Sequence, residues 1–184
     1  MRIIAGEFKS RRLKTLPGAK TRPTSDKLRE TLFNVLGASV QGAVFADCYA
    51  GSGAVGLEAL SRGAEFVYLL ENHRPAVRVI EQNLKSLGLE EGYQVLALDV
   101  CAGLRLLERD GARLDLVFLD PPYKAAEEYA RALALLGDSK LLAPAARVIA
   151  EHHPRLPLEE RYGALARTRT LRHGDSALSF YTIA

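Results

Sequence analysis

The tetrapeptide Asp120-Pro121-Pro122-Tyr123 directly follows the apolar run Leu114–Leu119, which predicts a buried strand. The two prolines have no backbone donor for a β-ladder, so the strand must end there. A carboxylate, two fixed carbonyl groups and an aromatic ring are therefore predicted at the C-terminal end of a strand, where open α/β sheets bind ligands. This set suits methylation of an exocyclic amine on a flipped nucleobase. The alternative is a Pro-Pro turn that only ends the strand, with Asp120 capping the next helix.

Each of these groups has a role in that chemistry. Hydrogen bonds from the amine to the Asp120 carboxylate and the Pro121 carbonyl would direct the nitrogen lone pair toward a methyl donor. Tyr123 would stack on the flipped base, an interaction of about 1–3 kcal/mol. We expect Pro122 to keep the turn rigid, since its ring fixes the backbone.

The elements that must position this turn alternate from residue 43 onward. The predicted strands are Val44–Tyr49, Phe66–Glu71, Tyr93–Asp99, Leu114–Leu119 and Ala146–His152. The predicted helices lie near residues 54–62, 73–87, 101–109 and 125–137, with an earlier one over Ser25–Leu36 that Thr24 or Ser25 can cap. This alternation predicts a doubly wound, mostly parallel α/β sheet. Ala164–Leu171 and Ala177–Ile183 flank a turn and predict a C-terminal antiparallel hairpin.

A glycine-rich loop follows the first predicted strand. Gly51, Gly53 and Gly56 form a GxGxxG pattern between that strand and a helix, which lets a ligand approach the backbone at the helix N-terminus. Glu71 ends the second strand about twenty residues later, where a carboxylate can bind two ribose hydroxyls. A nicotinamide-binding dehydrogenase would share these features.

Acidic residues at the ends of four successive strands distinguish between a nicotinamide dinucleotide and a cationic cofactor. Asp47 lies four residues before the first glycine, and Asp99 and Asp120 are predicted to end the third and fourth strands, with Glu71 at the second. Such acids would repel a diphosphate but suit a cationic sulfonium with an amino-acid arm, so the pattern favours S-adenosyl-L-methionine. For Asp99 alone, a helix N-cap is the alternative.

Length and composition limit which classes of protein this chain can belong to. At 184 residues, with 48% hydrophobic and 26% charged residues, the chain is expected to form a single domain over residues 1–184. No apolar stretch approaches the ~20 residues of a membrane span, and the N-terminus lacks an apolar signal region, so a cytoplasmic protein is expected. Cys48 and Cys101 have no metal-ligand spacing, and no metal is expected.

Positive charge is concentrated at the N-terminus. Residues 1–30 carry nine Lys and Arg against three acids, which favours a polyanionic partner. Residues 1–20 are predicted to form a short basic arm or hairpin that folds on contact with RNA, ahead of a catalytic core over residues 21–184. The candidate phosphate contacts are Arg2, Lys9, Arg11, Arg12 and Arg22. The alternative is a solvated basic arm without a partner.

Three groups of motifs resemble a known family. Phe45–Gly53, Glu71-Asn72 and Asp120–Tyr123 are similar to the motifs of Rossmann-like, class I S-adenosylmethionine-dependent methyltransferases. Arg2–Gly6, Thr21–Thr24 and Leu32–Leu36 resemble the bacterial RsmD-type family, which methylates N2 of a guanine in 16S rRNA. Members usually have an Arg-Gly-Arg-type segment where this chain reads Lys9-Ser10-Arg11-Arg12.

This resemblance implies a seven-stranded sheet and a set of site residues. The cofactor would be surrounded by Asp47, Ala50, Gly51, Gly53, Glu71, Asn72, Asp99 and Val100, and the catalytic turn would be Asp120, Pro121, Pro122 and Tyr123. The implied partner is 16S rRNA within an assembling small ribosomal subunit. The sequence leaves the oligomeric state open, with a monomer as the default.

Three alternative functions remain open from the sequence. The same Asp-Pro-Pro-Tyr turn would serve N6-methylation of adenine or methylation of a protein glutamine. A non-enzymatic RNA-binding protein with a methyltransferase fold is the third. His152 and His153 follow a strand and are expected at the surface.

Overall fold

The computed structural model describes residues 1–16, 26–122 and 126–184. Its strands are β1 (Val44–Cys48), β2 (Phe66–Leu70), β3 (Tyr93–Leu96), β4 (Leu114–Leu119), β5 (Leu142–His152), β6 (Arg161–Tyr162), β7 (Leu165–His173) and β8 (Ser176–Ile183). Its α-helices are α1 (Asp26–Leu36), α2 (Ala54–Ser61), α3 (Arg74–Leu87), α4 (Val100–Arg109) and α5 (Ala126–Asp138), and a 3₁₀ turn covers Gly37–Val40. In the described parts of the chain, no helix is long and apolar enough to span a membrane.

The strands form one sheet in the order β3-β2-β1-β4-β5-β8-β7-β6. Strands β1 to β5 are parallel, whereas β8 runs antiparallel to both of its neighbours, β5 and β7. The predicted α/β sheet with a C-terminal antiparallel hairpin is therefore confirmed. The chain proceeds outward from β1 to β3 on one side and from β4 to β5 on the other, which makes the gap between β1 and β4 the topological switch point.

Two details of the sheet differ from the sequence prediction. The sheet has eight strands rather than seven, because the two-residue strand β6 pairs with β7 at the edge. Strand β5 begins at Leu142 rather than Ala146. Pro144 and a register shift interrupt its pairing with β4 after Leu142. The sequence around this interruption does not show the pattern of a strand, so the strand was predicted to begin later.

Apolar side chains fill both faces of the sheet. One cluster packs α1, α2 and α3 against the first face and includes Phe33, Phe45 and Phe118. The other packs α4 and α5 against the opposite face, around Leu104 and Leu133. Burial on both faces explains why β1 and β4 read as nearly continuous apolar runs.

The N-terminus forms an ordered hairpin over residues 1–14, here called the N-terminal hairpin. Ile3 N–H donates to the Arg11 carbonyl at 3.0 Å, and Leu13 N–H donates to the Met1 carbonyl at 3.0 Å. Ile3 and Leu13 are buried in the same cluster as α2 and α3. The predicted hairpin is confirmed, but the expectation that it folds only on contact with RNA is wrong for these residues, because their apolar side chains already pack on the core.

Candidate active site at the C-terminal edge of the sheet

The register of the three central strands brings the predicted site residues to one edge. Cys48, the last residue of β1, lies opposite Leu70 of β2 and Leu119 of β4. The next residue along each strand therefore leaves the sheet at the same level, which places Glu71 and Asp120 on either side of the β1 end. Neighbouring strands are about 4.8 Å apart, so the backbones of these two acids lie about 10 Å from each other.

The glycine loop is held against Glu71. Gly51 N–H donates to Glu71 Oε2 at 2.8 Å, and the other carboxylate oxygen accepts the His73 N–H at 2.8 Å. Gly53, with φ +77°, is the N-cap of α2, a left-handed conformation that favours glycine. The loop backbone is thus fixed at the start of α2, beside the acid that the sequence assigns to ribose.

The third glycine allows α2 to pack closely on the sheet. A Cβ atom at Gly56 would lie 2.8 Å from Leu69 Cδ2 and 2.9 Å from Val67 Cγ1. The Gly56 N–H donates to Asp47 Oδ2 at 2.8 Å. A buried hydrogen bond therefore joins α2 to β1. It can form because Gly56 has no side chain to hold the helix away from the sheet.

Asp47 is more deeply buried than a simple ligand-facing acid. Its residue is only 2% exposed, and desolvation raises the pKa of the carboxyl to about 7, with Glu71 adding to the rise and the Gly56 hydrogen bond opposing it. Its ionised form is therefore costly unless a cation lies near. One oxygen fixes α2, and the Asp47 contact to an amino-acid ammonium stays a prediction.

Asp99 is placed differently from the prediction. Strand β3 ends at Leu96, and Asp99 is the N-cap of α4, accepting the N–H groups of Cys101 at 3.0 Å and Ala102 at 3.3 Å. The expectation that Asp99 ends the strand is wrong, because an N-cap needs to lie outside the strand and next to the helix it caps. Only Oδ1 serves as the cap acceptor.

The other predicted cofactor residues lie along the same edge. Ala50 is buried and its N–H donates to the Leu70 carbonyl at 3.0 Å. Asn72 is exposed directly after Glu71, and Val100 is buried at the start of α4. All three thus follow the ends of β1, β2 and β3.

The predicted catalytic turn begins at the switch point. Asp120 follows β4 directly, is half-buried, and its N–H lies 3.4 Å from the Cys48 carbonyl of β1. Pro121 is buried and Pro122 is exposed. Tyr123 lies outside the described residues, so its stacking role stays a prediction.

Tyr49 is a site residue that sequence reasoning missed. It has φ +63°, a conformation that non-glycine residues rarely adopt, and its hydroxyl donates to Glu128 Oε2 of α5 at 3.0 Å. Burial and this carboxylate raise the pKa of the Tyr49 hydroxyl well above its ordinary value. The strained backbone lies between Glu71 and Asp120, as strained residues at functional sites often do. Its aromatic type alone gave no signal of this.

Asn83 of α3 is a second missed residue. It is fully buried, accepts the Lys14 N–H at 2.8 Å, and donates to the Lys14 carbonyl at 3.1 Å and the Ser52 carbonyl at 3.0 Å. A single amide thus connects the N-terminal hairpin to the glycine loop. A polar residue on the buried face of a strongly amphipathic helix was the available signal.

Glu58 of α2 also holds the N-terminal hairpin. Its fully buried carboxylate accepts the N–H groups of Ile4 at 2.8 Å and Ala5 at 3.0 Å, and it forms an ion pair with Arg62 at 2.8 Å. Arg29 of α1, also fully buried, lies 3.6 Å from it. These contacts keep a buried charge paired, as burial requires.

The predicted phosphate contacts lie along the N-terminal hairpin. Arg2, Lys9, Arg11 and Arg12 are exposed, and Arg22 lies outside the described residues. The hairpin turn lies against Ser61, the last residue of α2, through the N–H groups of Glu7 and Phe8. Because α2 begins at the glycine loop and runs away from it, Lys9 lies near the opposite edge of the sheet.

The histidine prediction also needs correction. His152 is only 6% exposed, because this last residue of β5 is paired with Ala177 of β8 within the sheet. Its Nε2 lies 2.8 Å from Ser179 Oγ, and its ring contacts Tyr129 of α5 edge-on. Burial lowers the pKa of His152, which fits a neutral ring inside the sheet-helix packing.

The sheet order, the glycine loop after β1 and the acid after β4 define the class of Rossmann-like methyltransferases. The model of the family described as conserved hypothetical protein 95 matches residues 1–182. The putative rRNA methyltransferase YlbH of Bacillus subtilis (strain 168) is 35% identical over 181 residues, 98% of each chain. The chain belongs to this family, that of the RsmD-type methyltransferases.

Other similar proteins agree with this membership. The ribosomal RNA small subunit methyltransferase D of Escherichia coli (strain K12) is 37% identical over 153 residues, which are 82% of this chain and 74% of that protein. A solved structure of the putative methyltransferase yhhF from Escherichia coli superposes with a TM-score of 0.85 at 34% identity. It covers 100% of this chain and 97% of that chain.

Proposed function

We propose that this protein methylates the exocyclic N2 amine of a guanine in 16S rRNA, with S-adenosyl-L-methionine as methyl donor. The observation that carries the proposal is the placement of Asp120 and Pro121 at the switch point, level with Tyr49 and Glu71. The family membership and the relatives named ribosomal RNA small subunit methyltransferase D support the RNA substrate.

The donor set fits a cationic cofactor. Glu71, Asp47 and Asp99 would hold it, with the backbone of Gly51 and Gly53 allowing close approach. A nearby cation would also favour ionisation of Asp47, whose pKa burial raises to about 7. When bound, S-adenosyl-L-methionine supplies an electrophilic methyl group attached to a sulfonium sulfur.

The protein contributes positioning and charge stabilisation. The amine donates one hydrogen bond to the Asp120 carboxylate and one to the Pro121 carbonyl, which directs its lone pair to the methyl carbon. In methyl transfer the amine nitrogen would form a bond to the methyl carbon while the cofactor leaves as a neutral thioether, and the Asp120 carboxylate would stabilise the positive charge that develops on nitrogen. The surplus amine proton leaves along its hydrogen bond to Asp120.

The test is methyl transfer from radiolabelled S-adenosylmethionine to 16S rRNA and to small-subunit particles from cells that lack this activity. Digestion to nucleosides identifies the modified base. Label in N2-methylguanosine supports the proposal. Label in N6-methyladenosine would retain the reaction and reject the base, and label in protein alone would reject the RNA substrate.

A further inference from the structure

Three strands extend past the catalytic turn on one side of the sheet. Leu119, the last residue of β4, is level with Ala150 of β5, which pairs with Ser179 of β8, which in turn pairs with Thr170 of β7. Strand β5 continues two residues beyond this level and β7 continues three, to His173. At about 3.3 Å per residue, these three strands, here called the wall, extend roughly 7–10 Å beyond the level of Leu119 and therefore about 3–7 Å beyond the level of Asp120.

The direction of β7 brings its last residues to the active edge. Strand β8 is antiparallel to both β5 and β7, so β7 runs in the same direction as β5 and ends at the same edge. Arg172 and His173 are thus at the top of the wall and are exposed. Arg172 pairs with Ala177, which pairs with His152, so Arg172 lies on the sheet face that carries α5.

A second arginine lies at the end of β5. Arg155 is exposed, and its N–H donates to His153 Nδ1 at 3.1 Å in a tight turn that directly follows the strand. Strand β5 is next to β4, so this turn is one strand away from Asp120. Arg155 and Arg172 are here called the wall arginines.

The two other arginines of β7 are placed differently. Arg167 forms an ion pair with Glu160 at 3.7 Å. Arg169 is paired in the sheet with Phe180, which belongs to the core cluster on the α1 face, so Arg169 lies on the opposite face of the sheet from Arg172. Residues 165–176 contain three arginines and a single acid, Asp175.

We infer that the wall arginines bind phosphates of the RNA strand on the substrate side of the catalytic turn. The inference rests on the proposed function and adds a second RNA surface to it. The proposed cofactor residues lie on the β1 and β2 side of Asp120. A nucleotide that presents its amine to Asp120 would therefore lie on the other side, next to β5, β8 and β7. Lys9 cannot serve this role, because it lies near the opposite edge.

The RNA backbone fits this surface better than a protein does. The wall places two guanidinium groups, which bind phosphate oxygens bidentately, at the edge where the reacting base must enter. Single-stranded RNA with one nucleotide flipped out exposes phosphates on both sides of that base.

The test compares two double variants of the full-length protein, Arg155→Gln/Arg172→Gln and the control Arg109→Gln/Arg113→Gln. Both remove two exposed arginines, and the control pair lies at the opposite edge, at the end of α4 and just before β4. The measurements are binding of a protein-free 16S rRNA transcript as a function of salt, KM for rRNA in methyl transfer, and equilibrium affinity for S-adenosylmethionine.

The wall variant should lower the slope of log K against log[salt] by about 1.4, the value for two phosphates on single-stranded RNA. Its KM for rRNA should rise, with cofactor affinity and melting temperature unchanged, and the control should match the wild type. Equal behaviour of the two variants, alongside wild-type methylation of rRNA, would overturn the inference alone. A binding loss on small-subunit particles but not on the transcript would reassign the wall to a protein partner. Wild-type protein that transfers no methyl group either to 16S rRNA or to small-subunit particles would reject the proposed function itself.

Discussion

Asp47 combines a structural contact with an unfavourable buried charge. It fixes α2 through the Gly56 N–H, yet burial raises its pKa from 3.8 to about 7. The folded protein therefore binds this proton more tightly than the unfolded chain does. The contribution of Asp47 to the free energy of unfolding is therefore greatest below the pKa of this carboxyl in the unfolded chain. The free energy of unfolding decreases as the pH rises from about 4 to about 7, and above that the contribution of Asp47 is constant.

Asp47→Asn should remove most of that pH dependence. The amide oxygen can still accept the Gly56 N–H, but the side chain no longer ionises. Urea unfolding of the cofactor-free protein at pH 4.5 and pH 8 should show a drop of a few kcal/mol for the wild type and a much smaller drop for the variant. Identical drops in the two proteins would contradict the assignment of a raised pKa to Asp47.

Ser10 occupies a backbone conformation that glycine prefers. It lies in the turn of the N-terminal hairpin with φ +68° and is exposed. Because serine carries a Cβ atom, it adopts this left-handed conformation at a steric cost. Ser10→Gly should therefore raise the free energy of unfolding by roughly 1 kcal/mol. Ser10→Ala is the matched control, since its Cβ keeps the cost, and a gain in both variants would refute the explanation.

At the scale of elements, α2 and α3 serve both the glycine loop and the N-terminal hairpin. Helix α2 begins at the loop and binds the hairpin through Glu58, while Asn83 of α3 connects Lys14 to Ser52. Since these contacts share one buried region, the order of the hairpin and the shape of the glycine loop should be coupled.

Asn83→Ala should loosen both elements together. The change leaves the Lys14 N–H and the Ser52 carbonyl without their partner, at a cost of roughly 2–4 kcal/mol. We expect faster amide exchange at residues 13 and 14 and weaker binding of S-adenosylmethionine. Asn34→Ala, an exposed asparagine on α1, controls for loss of the side chain itself. Exchange that quickens without any change in cofactor affinity would argue against coupling.

Local patterns determined how much of these elements was predictable. Strand β4 was predicted with its observed bounds, because an apolar run between charged residues and two prolines permits few other readings. The pattern was weaker where contacts are distant. Asn83 gains its role from residues 31 and 69 positions away, and the two-residue strand β6 is too short to show alternation.

At the scale of the whole molecule, topology explains why a few dispersed residues could be assigned to one site. A glycine loop and an acid that are 69 residues apart in sequence meet because β1 and β4 are neighbours at the switch point. The sequence predicted this meeting from the alternation of strands and helices. It could not predict the docking of the N-terminal hairpin or the height of the β5–β8–β7 wall, since both depend on pairing register and packing.

In the proposed mechanism, Asp120 acts on the substrate amine and not on the cofactor. The most direct measurement compares Asp120→Ala with the wild type in methyl transfer to small-subunit particles and in equilibrium binding of S-adenosylmethionine. Asp110→Ala, an exposed acid at the end of α4, is the control. The variant should lose at least about a hundredfold in kcat while it binds the cofactor nearly as the wild type does. Near-normal turnover by Asp120→Ala would contradict the mechanism, and a parallel loss of cofactor binding would place Asp120 in the cofactor site instead.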